Sequence, residues 1–286
     1  MATSHRSSIF MRHPTFCYFV LAYALTWSIT VPLAAAAQNL FSRNITFDLH
    51  YLAQLGPAVA AITMTAVTEG RKGLHGLASR ALRWQVGWKW LLVSIGSPIA
   101  LFAVSAVVAR VVDGEWIDLR DLGRVNFLPY LGPAALVLWL ISNGFGEEIG
   151  WRGFALPRLQ QRHSAFAATL ILSAFWALWH IPAFFYIPSY QDMGATGSPG
   201  FFMGLLSGAI LLTWLYNSTG GSILMVAIWH GLFNFFTASA AGTGTVAMVM
   251  SIGVMAWAAT LVIVEHPTNL AGRPRQTTTA HQLEPL

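Results

Sequence analysis

Several ionisable and amide side chains of this sequence stand inside long apolar stretches, where they are out of place unless they have a task. They are Glu147, Glu148, Arg152, His180, His230 and Asn234. Carboxylate and imidazole groups are common general acids and bases, and imidazole or amide N–H groups can stabilise an oxyanion. The set therefore favours a hydrolytic reaction in which an activated water attacks a carbonyl, as in the cleavage of a peptide bond.

Helical spacing separates the two adjacent acids. Neighbouring residues of an α-helix point about 100° apart, so Glu147 and Glu148 cannot share a face. Arg152 follows Glu148 by four positions, which is the favourable order for an ion pair within a helix. We predict a structural Glu148–Arg152 pair, which leaves Glu147 without a helical partner and free to act as the base.

The same groups leave a metal-dependent alternative open. Glu147, His180 and His230 are a Glu/His₂ set of the kind that binds catalytic zinc. His230 and Asn234, however, share a helix face and are suited to bind an oxyanion together. A histidine nitrogen that ligates a metal cannot also donate a hydrogen bond, so we expect no cofactor, with zinc as the alternative. The chain contains neither a Gly-x-Ser-x-Gly elbow nor a His-Glu-x-x-His helix.

Composition identifies the surroundings of these groups. Only 16 Lys or Arg and 11 Asp or Glu occur among 286 residues, and 55% of the chain is hydrophobic. These charges make up 9% of the chain, whereas a soluble domain carries about 25%. No such charge occurs between Arg12 and Arg43 or between Asp192 and Glu265. The chain is therefore predicted to be an all-α, polytopic membrane protein surrounded by lipid.

About eight transmembrane helices fit the apolar stretches, since each span needs about 20 residues. The predicted spans are 15–36, 49–68, 88–111, 131–158, 165–187, 200–217, 221–241 and 245–264. The fourth and fifth spans form a hairpin that turns near His163, and Glu147 and His180 lie at similar distances from that turn. The next hairpin turns near Thr219 on the same side. The side chains of Glu147, His180, His230 and Asn234 are therefore predicted to meet inside the membrane.

The basic residues predict the orientation. They are concentrated in both tails and in the loops after the second and fourth spans, for example at Arg6 and Arg12, whereas Arg43 lies on the opposite side. This bias places both termini in the cytoplasm. The net charge of +5 is explained by these loops rather than by nucleic-acid binding, because no basic patch interleaved with aromatic residues occurs.

Two shorter segments carry further predictions. Residues 71–84 have apolar side chains on one helical face and are expected to form an interfacial amphipathic helix. The tail from Glu265 is rich in Thr, Pro and Arg and is expected to be disordered. A signal-peptidase site near residues 34–37 is an alternative for the first span, although the apolar run is long for a signal peptide.

The three polar stretches resemble the motifs of the CPBP family, which contains the CAAX proteases and bacteriocin-processing enzymes. Glu147, Glu148 and Arg152 match Glu-Glu-x-x-x-Arg, and His230 with Asn234 matches His-x-x-x-Asn. The remaining family motif, Phe-x-x-x-His, differs here because Trp176 precedes His180 by four positions.

This resemblance implies an intramembrane endopeptidase, similar to type II CAAX prenyl proteases, that cleaves a membrane-associated peptide or protein. Glu147 and His180 would activate the water, His230 and Asn234 would bind the oxyanion, and Glu148, Arg152 and Trp176 would support the site. The alternative is a non-catalytic immunity, scaffold or transport protein. A bacterial cell membrane is the expected location.

The predicted organisation has three parts. Residues 1–130 hold the N-terminal transmembrane helices and the interfacial helix, and residues 131–241 hold the catalytic helical core of the CPBP type. Residues 242–286 hold the last transmembrane helix and the disordered tail.

Overall fold

A computed structural model describes residues 9–40, 45–125 and 131–278. All regular secondary structure within these ranges is helical, which confirms the predicted all-α fold class. Arg6 and Arg43, two of the basic residues behind the predicted orientation, lie outside the described residues. Residues 279–286 of the predicted tail also lie outside them.

Twelve α-helices occur in the described residues. They are α1 (Ile9–Arg12), α2 (Pro14–Ala37), α3 (Leu49–Ala53), α4 (Gly56–Ala81), α5 (Trp88–Val112), α6 (Ala135–Trp139), α7 (Glu148–Gly150), α8 (Leu156–Arg162), α9 (Ala165–Trp179), α10 (Pro188–Ser218), α11 (Ile223–Ala238) and α12 (Thr245–Val264). Two π-helical segments, Leu140–Glu147 and Trp151–Ala155, alternate with α6, α7 and α8.

Six helical segments of the described chain are long and apolar enough to cross a membrane. They correspond to six of the predicted spans, and the chain is a polytopic helical membrane protein. The two other predicted spans, 131–158 and 221–241, do not form single long helices in the structure. The first is divided among short α and π segments, and the second contains α11, which has 16 residues. Most of α11 is buried among the other helices, so its apolar sequence reflects packing within the bundle.

The predicted hairpin turns lie where the sequence indicated them. Helix α8 ends at Arg162, and Ser164 caps α9 by accepting a hydrogen bond from the amide of Ala167. Helix α11 is capped by Ser222 in the same way. The turn before it contains Gly220 with φ 65°, a conformation that favours glycine.

The segment predicted to form an interfacial helix continues α4 after a sharp change of direction. Gly70 has φ 62° and ψ −153°, which interrupts the helix, and the piece beyond it ends at Ala81. Leu77 is buried on this piece, whereas Leu82 is 70% exposed. The helical conformation agrees with the prediction over most of residues 71–84, and its place at a membrane surface stays a prediction.

The beginning of the C-terminal tail differs from the expected disorder. The carbonyls of Pro267 and Thr268 accept hydrogen bonds from the amides of Phe166 and Ala165, at 3.0 and 2.9 Å. These amides belong to the first turn of α9, where no partner exists within the helix. Leu270 is also buried. The described part of the tail is therefore ordered, because it satisfies the amino end of α9.

The interrupted helix between α6 and α8 packs closely against its neighbours. A Cβ atom added to Gly144 would lie 2.7 Å from the carbonyl oxygen of Ala227 on α11. A Cβ atom added to Gly146 would lie 2.9 Å from the carbonyl oxygen of Gln54. Only glycine allows these backbone approaches, which hold the segment around Glu147 against α11 and the end of α3.

Candidate active site

Glu147 is the last residue of the first π-helical segment, and it is 1% exposed. Its Oε2 atom accepts a hydrogen bond from the indole Nε1 of Trp176 at 2.8 Å. Its Oε1 atom accepts one from Nδ2 of Asn143 at 3.2 Å. Single turns of π-helix are frequent at functional sites. The two donors fix the carboxylate in one orientation while each oxygen keeps a further lone pair.

His180 follows the last residue of α9 and shares the same supporting residue. Its Nδ1 atom lies 2.7 Å from the carbonyl oxygen of Trp176. A carbonyl can only accept, so Nδ1 carries the proton and Nε2 has a free lone pair. This tautomer makes His180 a hydrogen-bond acceptor, and thus a base, at its second nitrogen.

The predicted Glu148–Arg152 ion pair is present and has a third member. Glu148 Oε1 lies 2.8 Å from Nη1 of Arg152 and 2.8 Å from Nδ1 of His230. Glu148 and Arg152 are both fully buried. The carboxylate therefore orients the imidazole of His230, a contact between distant parts of the sequence that helical spacing could not predict.

Trp176 contacts Glu147, His180, Arg152 and His230. Its indole donates to Glu147, its carbonyl accepts from His180, and the Arg152 guanidinium lies 4.8 Å from the centre of its ring. The ring of His230 meets it edge to face at 5.5 Å between centroids. The family motif has phenylalanine at this position, and phenylalanine has no N–H to donate. The departure from the motif thus adds a hydrogen bond to the candidate base.

One cavity of about 560 Å³ brings the predicted residues together. Glu147, His180, His230 and Asn234 all line it, and so does Trp176. Asn234 is half-buried and lies one helical turn beyond His230 on α11. The four predicted residues therefore line one cavity, as the positions of the hairpin turns predicted. Glu147 and Glu148 have different partners, as their helical spacing predicted.

Sequence reasoning missed several polar residues of this cavity, among them Asn143, His50 and Gln54. Asn143 precedes Glu147 by four positions, the same spacing that related His230 to Asn234, so this signal was available. His50 and Gln54 also line the cavity. They share that spacing as well, but no motif marks them, and the contact between α3 and the motif helix is not visible in the sequence.

No group of three or more His, Cys, Asp or Glu side chains that could hold a metal ion occurs within residues 9–40, 45–125 and 131–278. Glu147, His180 and His230, the alternative zinc ligands, lie within these ranges and do not form such a group. Nδ1 of each histidine and both oxygens of the carboxylate are already engaged in hydrogen bonds.

Comparison with known proteins agrees with these motifs. Residues 129–236 match the family model described as type II CAAX prenyl endopeptidase Rce1-like. The chain is also 34% identical over 139 residues to CAAX prenyl protease 2 of Methanococcus maripaludis. That match covers 47% of this chain and 51% of the relative, so the chain spans about half the length of the curated protein that it matches. The region matched by the family model contains all three motifs, so this part of the chain is similar to the type II CAAX prenyl endopeptidases.

Proposed function

We propose that the chain is an intramembrane endopeptidase that hydrolyses a peptide bond with a water molecule activated by Glu147 and His180. The observation that carries the proposal is the pair of fixed groups that line one cavity. The Glu147 carboxylate is held by two donors, and the His180 imidazole keeps Nε2 free to accept a proton. A carboxylate and an imidazole held in this way are suited to general-base catalysis.

In the proposed reaction, the water oxygen bonds to the carbonyl carbon while one of its protons passes to Glu147 or to Nε2 of His180. The carbonyl oxygen becomes an oxyanion, and the carbon–nitrogen bond breaks when the leaving nitrogen takes up that same proton. The low polarity of the surrounding helices strengthens each of these interactions relative to water.

His230 and Asn234 are proposed to stabilise the oxyanion. Nδ1 of His230 points to Glu148, so Nε2 is the atom that can face a substrate. It donates a hydrogen bond only when the ring carries both protons. The amide of Asn234 supplies a donor in either case.

We propose a substrate with a lipid-modified cysteine near its end, the class named by the CAAX prenyl protease that the chain resembles. The cavity wall on α10 supports this proposal. Added Cβ atoms at Gly200 and Gly208 would meet no atom within 4 Å, so both glycines face open space. Methionines and isoleucine from α12, including Met248 and Met255, line the same cavity. Flexible apolar side chains of this kind adapt to lipid chains.

Mass spectrometry of membrane peptides tests the function without the choice of a particular substrate. Cells that produce the wild type should contain cleaved peptides that are missing when Glu147→Ala replaces it, and the uncut precursors should accumulate. Identical peptide sets in the two strains would instead favour the non-catalytic alternative.

A further inference from the structure

A second polar cluster lines the cavity outside the three motifs. It consists of His50 and Gln54 on or just after α3, and of Tyr186 in the segment before α10. Nδ1 of His50 lies 2.8 Å from the hydroxyl of Tyr186, and its Nε2 lies 2.9 Å from Nε2 of Gln54. These contacts join three polar side chains from two separate segments of the chain.

The hydrogen-bond directions within this cluster follow from its chemistry. The amide nitrogen of Gln54 can only donate, so Nε2 of His50 accepts and its Nδ1 carries the proton toward Tyr186. The imidazole thereby fixes the rotation of the Gln54 amide. The amide oxygen of Gln54 takes no part in these contacts.

Gln54 is only 7% exposed, and its Oε1 atom has no hydrogen-bond partner among the described residues. Leaving a buried polar group unsatisfied costs free energy, so native proteins rarely leave one without a partner. Because Gln54 lines the cavity, an occupant that displaces the atoms covering this buried oxygen can supply the missing donor. An extended peptide offers such donors at regular intervals in its backbone N–H groups.

The cluster is close to the candidate catalytic groups. The carbonyl oxygen of Gln54 packs against Gly146, the residue immediately before Glu147. When the scissile bond of a peptide lies at Glu147 and His180, backbone N–H groups a few residues away from that bond therefore lie near Gln54.

We propose that Gln54 is a substrate-positioning residue whose amide oxygen accepts a hydrogen bond from one backbone N–H of the peptide being cleaved. His50 and Tyr186 orient the amide for this contact. The proposal rests on the proposed function, because it assigns a subsite for the backbone of a peptide substrate.

The test uses the purified chain of 286 residues and a peptide that ends in an S-prenylated cysteine followed by three residues. In a series of these peptides, one backbone N–H at a time is replaced by an ester oxygen, at every peptide bond except the cleaved one. For the wild type we expect a single ester position to lower kcat/KM about tenfold, the loss typical of one hydrogen bond. Gln54→Met should lose about as much on the unmodified peptide and be insensitive to that ester.

A matched control is Gln160→Met, which removes another buried glutamine whose amide is fully bonded outside the cavity. This variant should keep the wild-type response to each ester. Thermal unfolding in detergent checks that both variants are folded. A binding measurement with Glu147→Gln and Glu147→Gln/Gln54→Met separates affinity from turnover.

The outcomes distinguish the two proposals. Failure of the wild type to cleave any peptide, with tight binding that depends on Gln54, would contradict the proposed function and support the subsite. Cleavage with the same ester sensitivity in the wild type and Gln54→Met would overturn the subsite alone. Equal affinity of the two Glu147→Gln proteins, or no binding to either, would also overturn it.

Discussion

The indole Nε1 of Trp176 donates a hydrogen bond to Oε2 of Glu147 across 2.8 Å, and the carbonyl of the same tryptophan accepts one from His180. One residue on α9 thus positions both groups that are proposed to activate water. Its backbone contact would survive a change of side chain, whereas the indole contact would not. The two contributions can therefore be separated by substitution.

Trp176→Phe should lower kcat about tenfold and leave KM nearly unchanged. The ring that packs against Arg152 and His230 is retained, but the donor to the carboxylate is lost, and hydrogen bonds to charged groups contribute about 1.5–3 kcal/mol. Trp90→Phe is the matched control, because its buried Nε1 has no partner among the described residues and lies outside the cavity. Steady-state kinetics with both variants would reject the positioning role if Trp176→Phe kept the wild-type kcat.

Glu148→Ala should lower the thermal stability in detergent more than Glu147→Ala does. Removing Glu148 leaves Arg152 buried without its partner and deprives His230 of its acceptor, and breaking a buried pair in this way costs about 3–5 kcal/mol. Asp118→Ala serves as the comparison, because the Asp118–Arg120 pair is exposed and such pairs contribute little. Equal melting temperatures for the two glutamate variants would contradict this assignment.

The purified protein should contain no stoichiometric metal. The two Glu147 oxygens are bonded to Asn143 and Trp176, and Nδ1 of His230 is bonded to Glu148, so a metal would have to compete with these contacts. Elemental analysis combined with an activity assay after chelation measures this directly. One zinc per chain, with activity lost on chelation and restored by zinc, would instead assign Glu147, His180 and His230 as ligands.

Gly208→Leu should raise KM for a prenylated peptide severalfold, because its side chain would extend into the open space that the glycine faces. Gly208→Ala is the control, since a single methyl group meets no atom there and should leave KM close to the wild-type value. Kinetics with peptides of different prenyl length would show the size dependence. An unchanged KM in the leucine variant would place the lipid elsewhere.

Much of this architecture could be predicted from the sequence, because charge-free stretches and turn residues report directly on helices in a membrane. The predicted hairpin turns near His163 and Thr219 agree with the structure, and their registers bring Glu147 and His180 to one cavity. The spacing of the two adjacent acids also separates their partners. These features depend on local geometry, which the order of residues determines.

The remaining features depend on contacts between distant segments. The π-helical turns around Glu147 accompany close backbone approaches at Gly144 and Gly146, and their hydrogen-bond pattern has no signature in residue type. The contact of Glu148 with His230 and the proposed role of Gln54 depend on the packing of separate helices. The ordered tail after Glu265 has a composition typical of disorder, but the first amides of α9 hold it by donating hydrogen bonds to its carbonyls.

The rate of peptide cleavage by purified Glu147→Gln is the most direct test of Glu147 as the base that activates water. Glutamine keeps the shape of the side chain and an oxygen that can accept from Trp176, but it cannot take a proton from water. We predict that cleavage of a prenylated peptide is abolished while the melting temperature stays near that of the wild type. Cleavage at the wild-type rate by the folded variant would contradict this role.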